Sequence, residues 1–281
     1  MLNNYENEIF DKAMEYAHAA KYDLAINYLL PLATSGDEES INNLGVCYLR
    51  LKKYEQAYKW FKKTTDTIAV QNILTLYDND YIEFNLEEYI SLCNLLIEKD
   101  SPDGYLYLSY IYQNNKRGIE CKRLSYLVVC DGLAKFKRNK DLLFEFAYLT
   151  EHGIGCDVDY EVSYKGYKAL AIDNSVSEGK LTVARYNLGL QLIQGKGCAV
   201  NYEEGINFLT LAAIKNYKDA CSYLTRILTV IEEIKDPELA AMWEAIGEGK
   251  QLTNKQNRIY NAVFRRALKF KLKNTFFGSK F

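Results

Sequence analysis

Residues 186–213 read YNLGLQLIQGKGCAVNYEEGINFLTLAA. Two apolar stretches flank the pair Gly195-Lys196-Gly197, and the meaning of that pair decides the fold. A dinucleotide cradle needs a third glycine and a strand before the turn, and a P-loop needs Gly-Lys followed by Ser or Thr. Neither is present: Cys198, Ala199 and Val200 follow, and the preceding Leu188, Leu192 and Ile193 recur at helical spacing. Ile206, Leu209, Ala212 and Ala213 form a second helical stripe beyond the pair. The glycines therefore read as the elbow between two amphipathic helices, because a left-handed helix end costs glycine little. The same signature, HGIGC, recurs at residues 152–156.

Moving outward, short apolar blocks align on one small or compact residue: Gly45, Leu74, Ser109, Ala147, Gly189 and Thr225, at intervals of 29, 35, 38, 42 and 36 residues. Each block is followed by a turn and a second amphipathic run, and an opening pair at residues 7–36 has the same shape. Glycine inside a helix costs about 1 kcal/mol relative to alanine, so a close approach by the partner helix is the expected compensation. An isolated hairpin leaves its apolar stripe wet, whereas stacked hairpins cover one another. The pattern predicts an all-α chain, a right-handed α-solenoid of about six helical hairpins over residues 1–250, with residues 251–281 as a basic amphipathic C-terminal capping helix and short tail.

The blocks at residues 145–220 resemble the Sel-one-like repeat (SLR), a longer relative of the tetratricopeptide repeat. Ala184, Leu188, Gly189, Gly195, Gly197, Ala212 and Ala213 match its pattern, as do Gly153, Gly155, Asp159 and Ala169 one repeat earlier. Leu44-Gly45, Tyr48, Ala57, Trp60 and Phe61 are closer to the short-looped tetratricopeptide form. Leu192 in place of a tyrosine, Cys156 and Cys198 in place of valines, and Asn201 in place of an aspartate depart from the pattern. The resemblance implies a concave groove lined by the first helix of each hairpin, with an asparagine two residues before the anchor gripping a peptide backbone. That role carries to Asn43, Asn72 and Asn187. Tyr107, Glu145 and Tyr223 hold the same position without matching. An asparagine amide both donates and accepts, which suits an extended peptide. Neighbouring positions on that face add Arg50, Tyr110, Gln113, Tyr148, Gln194 and Arg226 as groove candidates.

Bulk properties agree. With 48% hydrophobic residues the 281-residue chain can build a sizeable core, while 16 glycines and three prolines are too few for the turns of an all-β protein. No signal peptide or membrane-length apolar run is visible. The seven cysteines are odd in number, scattered and without a CxxC, which fits free thiols in a reducing cytoplasm; the protein is expected to be bacterial. Residues 251–281 hold eight Lys/Arg and no Asp/Glu, leaving the first 250 residues with 27 basic and 37 acidic groups, a net of −10. Within that tail Arg258, Arg265, Arg266, Lys269 and Lys273 share one helical face, and Ile259, Val263, Ala267 and Phe270 another. Capping of the open solenoid end is the favoured role, ahead of contact with an anionic membrane surface. The acidic body speaks against nucleic-acid affinity. The end TFFGSKF (275–281) reads as a disordered tail free to engage a partner.

Catalytic and metal chemistry find little. His152 and Cys156 straddle a glycine turn, only two histidines exist, and a metal needs three or four ligands. Pairs such as Glu38-Glu39, Glu87-Glu88, Glu203-Glu204 and Glu232-Glu233 read as polar faces or first-turn charges complementing a helix dipole. Pro31 should kink or end its helix, and Asp236-Pro237 should cap and begin a new one. The sequence thus predicts a non-enzymatic adaptor, without cofactor, that binds a peptide or partner protein in its groove. The alternatives are a toxin-neutralising or secretion-associated binding protein, or an effector enzyme whose site hides in RGIECKRLSYLVVCDG (117–132).

Overall fold

The computed structural model describes residues 3–114 and 121–277. Fifteen α-helices account for most of them, and no strand occurs among the described residues. The chain is all-α. The first fourteen helices follow one another in pairs: an opening pair, then six whose first helix carries an anchor residue. Contacts divide the chain into two compact units, residues 1–108 and 109–281, with the boundary inside a helix.

The first unit contains α1 (Asn4–His18), α2 (Tyr22–Thr34), α3 (Glu38–Arg50), α4 (Tyr54–Phe61), α5 (Thr67–Asp78), α6 (Leu86–Glu98) and the start of α7 (Asp103–Gln113). Side-chain oxygens cap the orphan amides of α1, α3, α5 and α6. Asn3 forms a reciprocal capping box with Glu6, Asp37 accepts from the Ser40 amide, and Asn85 from the Glu88 amide. Ala13, Ala25, Leu29, Ile41, Leu44 and Cys47 close the core of the opening helices. Gly45 is small for the anticipated reason: a Cβ there would lie 2.4 Å from the Phe61 ring. Pro31 neither ends nor interrupts α2, which continues to Thr34. It opens the last turn, where its missing N–H removes one helical bond and only three residues follow.

The second unit contains the rest of α7, then α8 (Lys122–Lys135), α9 (Lys140–His152), α10 (Tyr160–Ala171), α11 (Glu178–Gln194), α12 (Tyr202–Ala213), α13 (Lys218–Val230), α14 (Pro237–Gly247) and α15 (Asn254–Phe277). A 3-10 turn, Glu232–Ile234, separates α13 from α14, and Asp236 caps α14 with Pro237 at its first position. Helix α11 lies between two cores. Leu188 and Leu192 join Tyr167, Leu170 and Phe208 on one side, and Ile193 joins Leu209, Leu224 and Trp243 on the other. Gly189 and Gly205 let α11 and α12 touch: a Cβ on Gly189 would stand 2.7 Å from Leu209 Cγ and 3.1 Å from the Gly205 carbonyl.

The glycine pairs are elbows. Gly153, Gly155, Gly195 and Gly197 all take positive φ, between 64° and 75°. Gly153 and Gly195 end α9 and α11 in the left-handed conformation. Gly155 and Gly197 turn the chain against the preceding hairpin, where a Cβ would sit 1.9 Å from the carbonyl oxygen of Lys122 or of Tyr160. The sequence departures keep the same geometry. The Cys156 and Cys198 thiols lie 3.7 and 3.6 Å from the carbonyls of Leu149 and Gln191. Asn201 caps α12 as Asp159 caps α10.

Helix α15 packs on α12 and α14. Ile259 and Val263 rest on the core containing Trp243, Ala267 is 1% exposed, and the Phe270 ring meets Phe208 edge-on at 5.0 Å. These are the four residues of the expected apolar face. Arg266 pairs with Glu203 at 3.0 Å and Lys255 pairs with Glu238. The helix runs to Phe277, three residues into the stretch read as a disordered tail; residues 278–281 lie outside the described residues.

Candidate interaction surface

The groove candidates all lie on first helices of their hairpins, in differing surroundings. In the first unit Asn43 is half-buried and its amide donates to the Glu39 carbonyl of its own helix at 2.9 Å. Arg50 is exposed at the end of α3, and Asn72 is half-buried on α5 beside Gln71, which donates to Asp103 at 2.5 Å. In the second unit Tyr110 is 44% exposed on α7. Gln113, at the end of the same helix, is held in a buried cluster. Its amide donates to Glu145 at 2.8 Å and to the Ser109 hydroxyl at 3.1 Å, and Ser109 lies 2.9 Å from the Ser125 hydroxyl. Tyr148 is exposed and covers the His152 ring at 4.3 Å. Asn187 is half-buried, with its side chain hydrogen-bonded to Tyr167.

Gln194 and Arg226 are brought together. Gln194 donates to the Tyr223 hydroxyl at 3.1 Å, and the Arg226 guanidinium covers the Tyr223 ring at 4.7 Å. Both border a depression of about 480 Å³ between α11 and α13, completed by Tyr186, Leu190, Asp219 and Ser222. Tyr186 is itself wedged edge-on against Tyr217 at 5.1 Å. The depression has an aromatic and aliphatic floor, one carboxylate, one guanidinium and one amide. Its rings can bury apolar side chains, and its polar groups can hydrogen-bond or pair with charge. Sequence reasoning passed over Asp219 and Ser222. Their spacing with Tyr223 and Arg226, at i, i+3, i+4 and i+7, puts all four on one helical face and was the available signal.

The first unit has a second depression, of about 600 Å³, over α4, α5 and α6. Glu88 lines it, in the first turn of α6 as expected, but half-buried among hydrogen-bond donors. The hydroxyls of Tyr58 and Tyr77 both donate to its carboxylate at 2.7 Å, and Lys62 pairs with it at 3.0 Å. Burial alone would raise its pKa, but these donors together hold it below the ordinary value. Other shifts trace to core burial. Cys47 and Cys221 are each pushed up to about 11 by desolvation, which makes them inert packing thiols.

In the region proposed for a hidden catalytic site, residues 117–120 lie outside the described residues. Of the rest, Ser125 is buried against Ser109, and burial raises the Cys130 thiol despite a bond from Tyr126. Cys156 and His152 do not meet, since each binds a carbonyl of α9. No group of three metal-ligating side chains occurs among the described residues.

No protein-family model matches the chain, and no curated protein matches it either. Solved structures do. A Sel1 repeat protein from Oxalobacter formigenes superposes with a TM-score of 0.64 at 17% identity, over 85% of this chain and 99% of that one. The protein c5321, described as a protective antigen present in uropathogenic Escherichia coli strains and displaying an SLR fold, superposes with a TM-score of 0.51 at 16% identity, over 93% of this chain and 65% of that one.

Proposed function

From a Sel1-repeat fold we propose that this chain is a non-enzymatic interaction scaffold, holding an extended peptide or partner protein against the first helices of its hairpins. The observation that carries this reading is the depression between α11 and α13. There two groove candidates from successive hairpins, Gln194 and Arg226, converge on Tyr223 without being consumed by the core. An aromatic–arginine anchor flanked by adaptable polar groups is the composition that dominates binding energy at protein interfaces. The scattered cysteines and bacterial structural neighbours support a bacterial cytoplasmic setting.

The test is capture of peptides on an array, and of partners from a bacterial lysate, by the parent and by Gln194→Ala/Arg226→Ala. Captured ligands should bind the double variant at least about tenfold more weakly, a loss of about 1.4 kcal/mol. Asn43→Ala, Asn72→Ala and Asn187→Ala test the rest of the row in the same assay. Undiminished binding of every ligand by all the variants would remove the groove assignment.

A further inference from the structure

The unit boundary sorts the charge. Residues 1–108 carry nine Lys/Arg and 18 Asp/Glu, a net of −9, whereas residues 109–281 carry 26 and 19, a net of +7. The near-neutral total of −2 conceals two poles.

The positive pole has a defined surface. With Ile259, Val263 and Ala267 turned to the core, the 100° advance per residue places Arg258, Arg265 and Lys269 toward the outer side of α15 and Lys273 on its flank. All four are exposed, and among the described residues none forms an ion pair. Leu268 and Leu272, 40% and 58% exposed, lie in the same strip, which is about 22 Å long at 1.5 Å per residue. The negative pole offers a counterpart along α6. Glu83, Glu87 and Glu98 are exposed around half-buried Ile90 and Leu95, beside a shallow hollow of about 600 Å³. Glu87 to Glu98 spans about 16 Å, and Glu83 extends the strip past the start of the helix.

We infer that a second copy of this chain covers the outer face of α15, with the basic strip of one molecule seated on the acidic strip of α6 in the next. The strips are comparable in length, oppose in charge, and each includes apolar side chains. A bilayer is the weaker occupant. A helix lying in a membrane needs a broad apolar face, and that of α15 is spent on α12 and α14, leaving Leu268 and Leu272 exposed among the described side chains. A nucleic-acid backbone would leave those leucines uncovered. Because donor and acceptor strips differ, the contact is heterologous: every assembly keeps one strip of each kind vacant, one at each end, and growth proceeds head to tail.

Sedimentation velocity of the full chain tests this. In about 25 mM salt the chain should form species that grow beyond dimer with concentration, and in about 500 mM salt the association should weaken at least tenfold. Arg265→Glu/Lys269→Glu/Lys273→Glu and Glu83→Lys/Glu87→Lys/Glu98→Lys should each be monomeric in low salt, and an equimolar mixture of the two should associate again. All six positions are exposed, and unchanged melting curves verify folding. The inference is overturned by a parent that stays monomeric in low salt to about 100 µM, by association indifferent to either reversal, or by a mixture that stays dissociated. Co-sedimentation of a monomeric parent with phosphatidylglycerol vesicles, lost in the basic-strip variant, would overturn it in favour of lipid.

Discussion

Gly195 and Gly197 look equivalent in the sequence but have different reasons to be glycine. Gly195 is left-handed with only the tip of Val200 near its missing Cβ, whereas Gly197 is left-handed and backs onto the Tyr160 carbonyl. Urea denaturation should therefore show Gly195→Ala costing about 1 kcal/mol, the ordinary left-handed penalty. Gly197→Ala should cost about 3 kcal/mol or more, since backbone must move. Two carboxylates are just as unequal. Glu88, held below the ordinary value by its donors, loses stabilisation when acidified. Glu145 is 5% exposed, and burial raises its pKa although Gln113 and Ser109 donate to it. The folded state then binds its proton more tightly than the unfolded chain, so its charge costs stability above the raised pKa, and that cost fades as pH falls toward the ordinary glutamate value. Glu145→Gln should raise the melting temperature at pH 7 and lose that advantage near pH 4.

At the scale of elements, α15 shows what an amphipathic terminal helix does for a repeat array. Its apolar face was legible because four residues repeat at helical spacing. Its seat on α12 as well as α14 was not, since nothing local records which helix a stripe will meet. Phe270→Ala should cost about 2 kcal/mol, below the usual 3–5 for a fully buried ring because Phe270 is half-buried. Arg266→Ala should cost no more than about 0.5 kcal/mol, because its ion pair with Glu203 is exposed. A chain ending at Gly249 should melt at lower temperature, with Trp243 fluorescence reporting the loosened core beneath. Caps were the most readable elements: Asp236-Pro237 opens α14 as its chemistry requires. Pro31 does not end α2, because the three residues after it still complete the last turn.

For the whole molecule, the repeat period, helical content and glycine elbows could all be read from local spacing. What escaped were relations across distance. Glu88 receives Tyr58 from 30 residues away, and Gln194 finds Tyr223 across 29. Such meetings depend on how helices lie in register, which no single stripe encodes. The charge poles escaped because the charges were summed on either side of the basic tail rather than on either side of residue 108, within α7. The elbows carry one consequence further. Gly155 leans on α8 and Gly197 on α10, in identical fashion and 42 residues apart. Excising or duplicating one such stretch, cut from elbow to elbow, hands each surviving joint the same kind of backrest it had before. A gene slipping by that amount would shorten or lengthen the protein without leaving a seam.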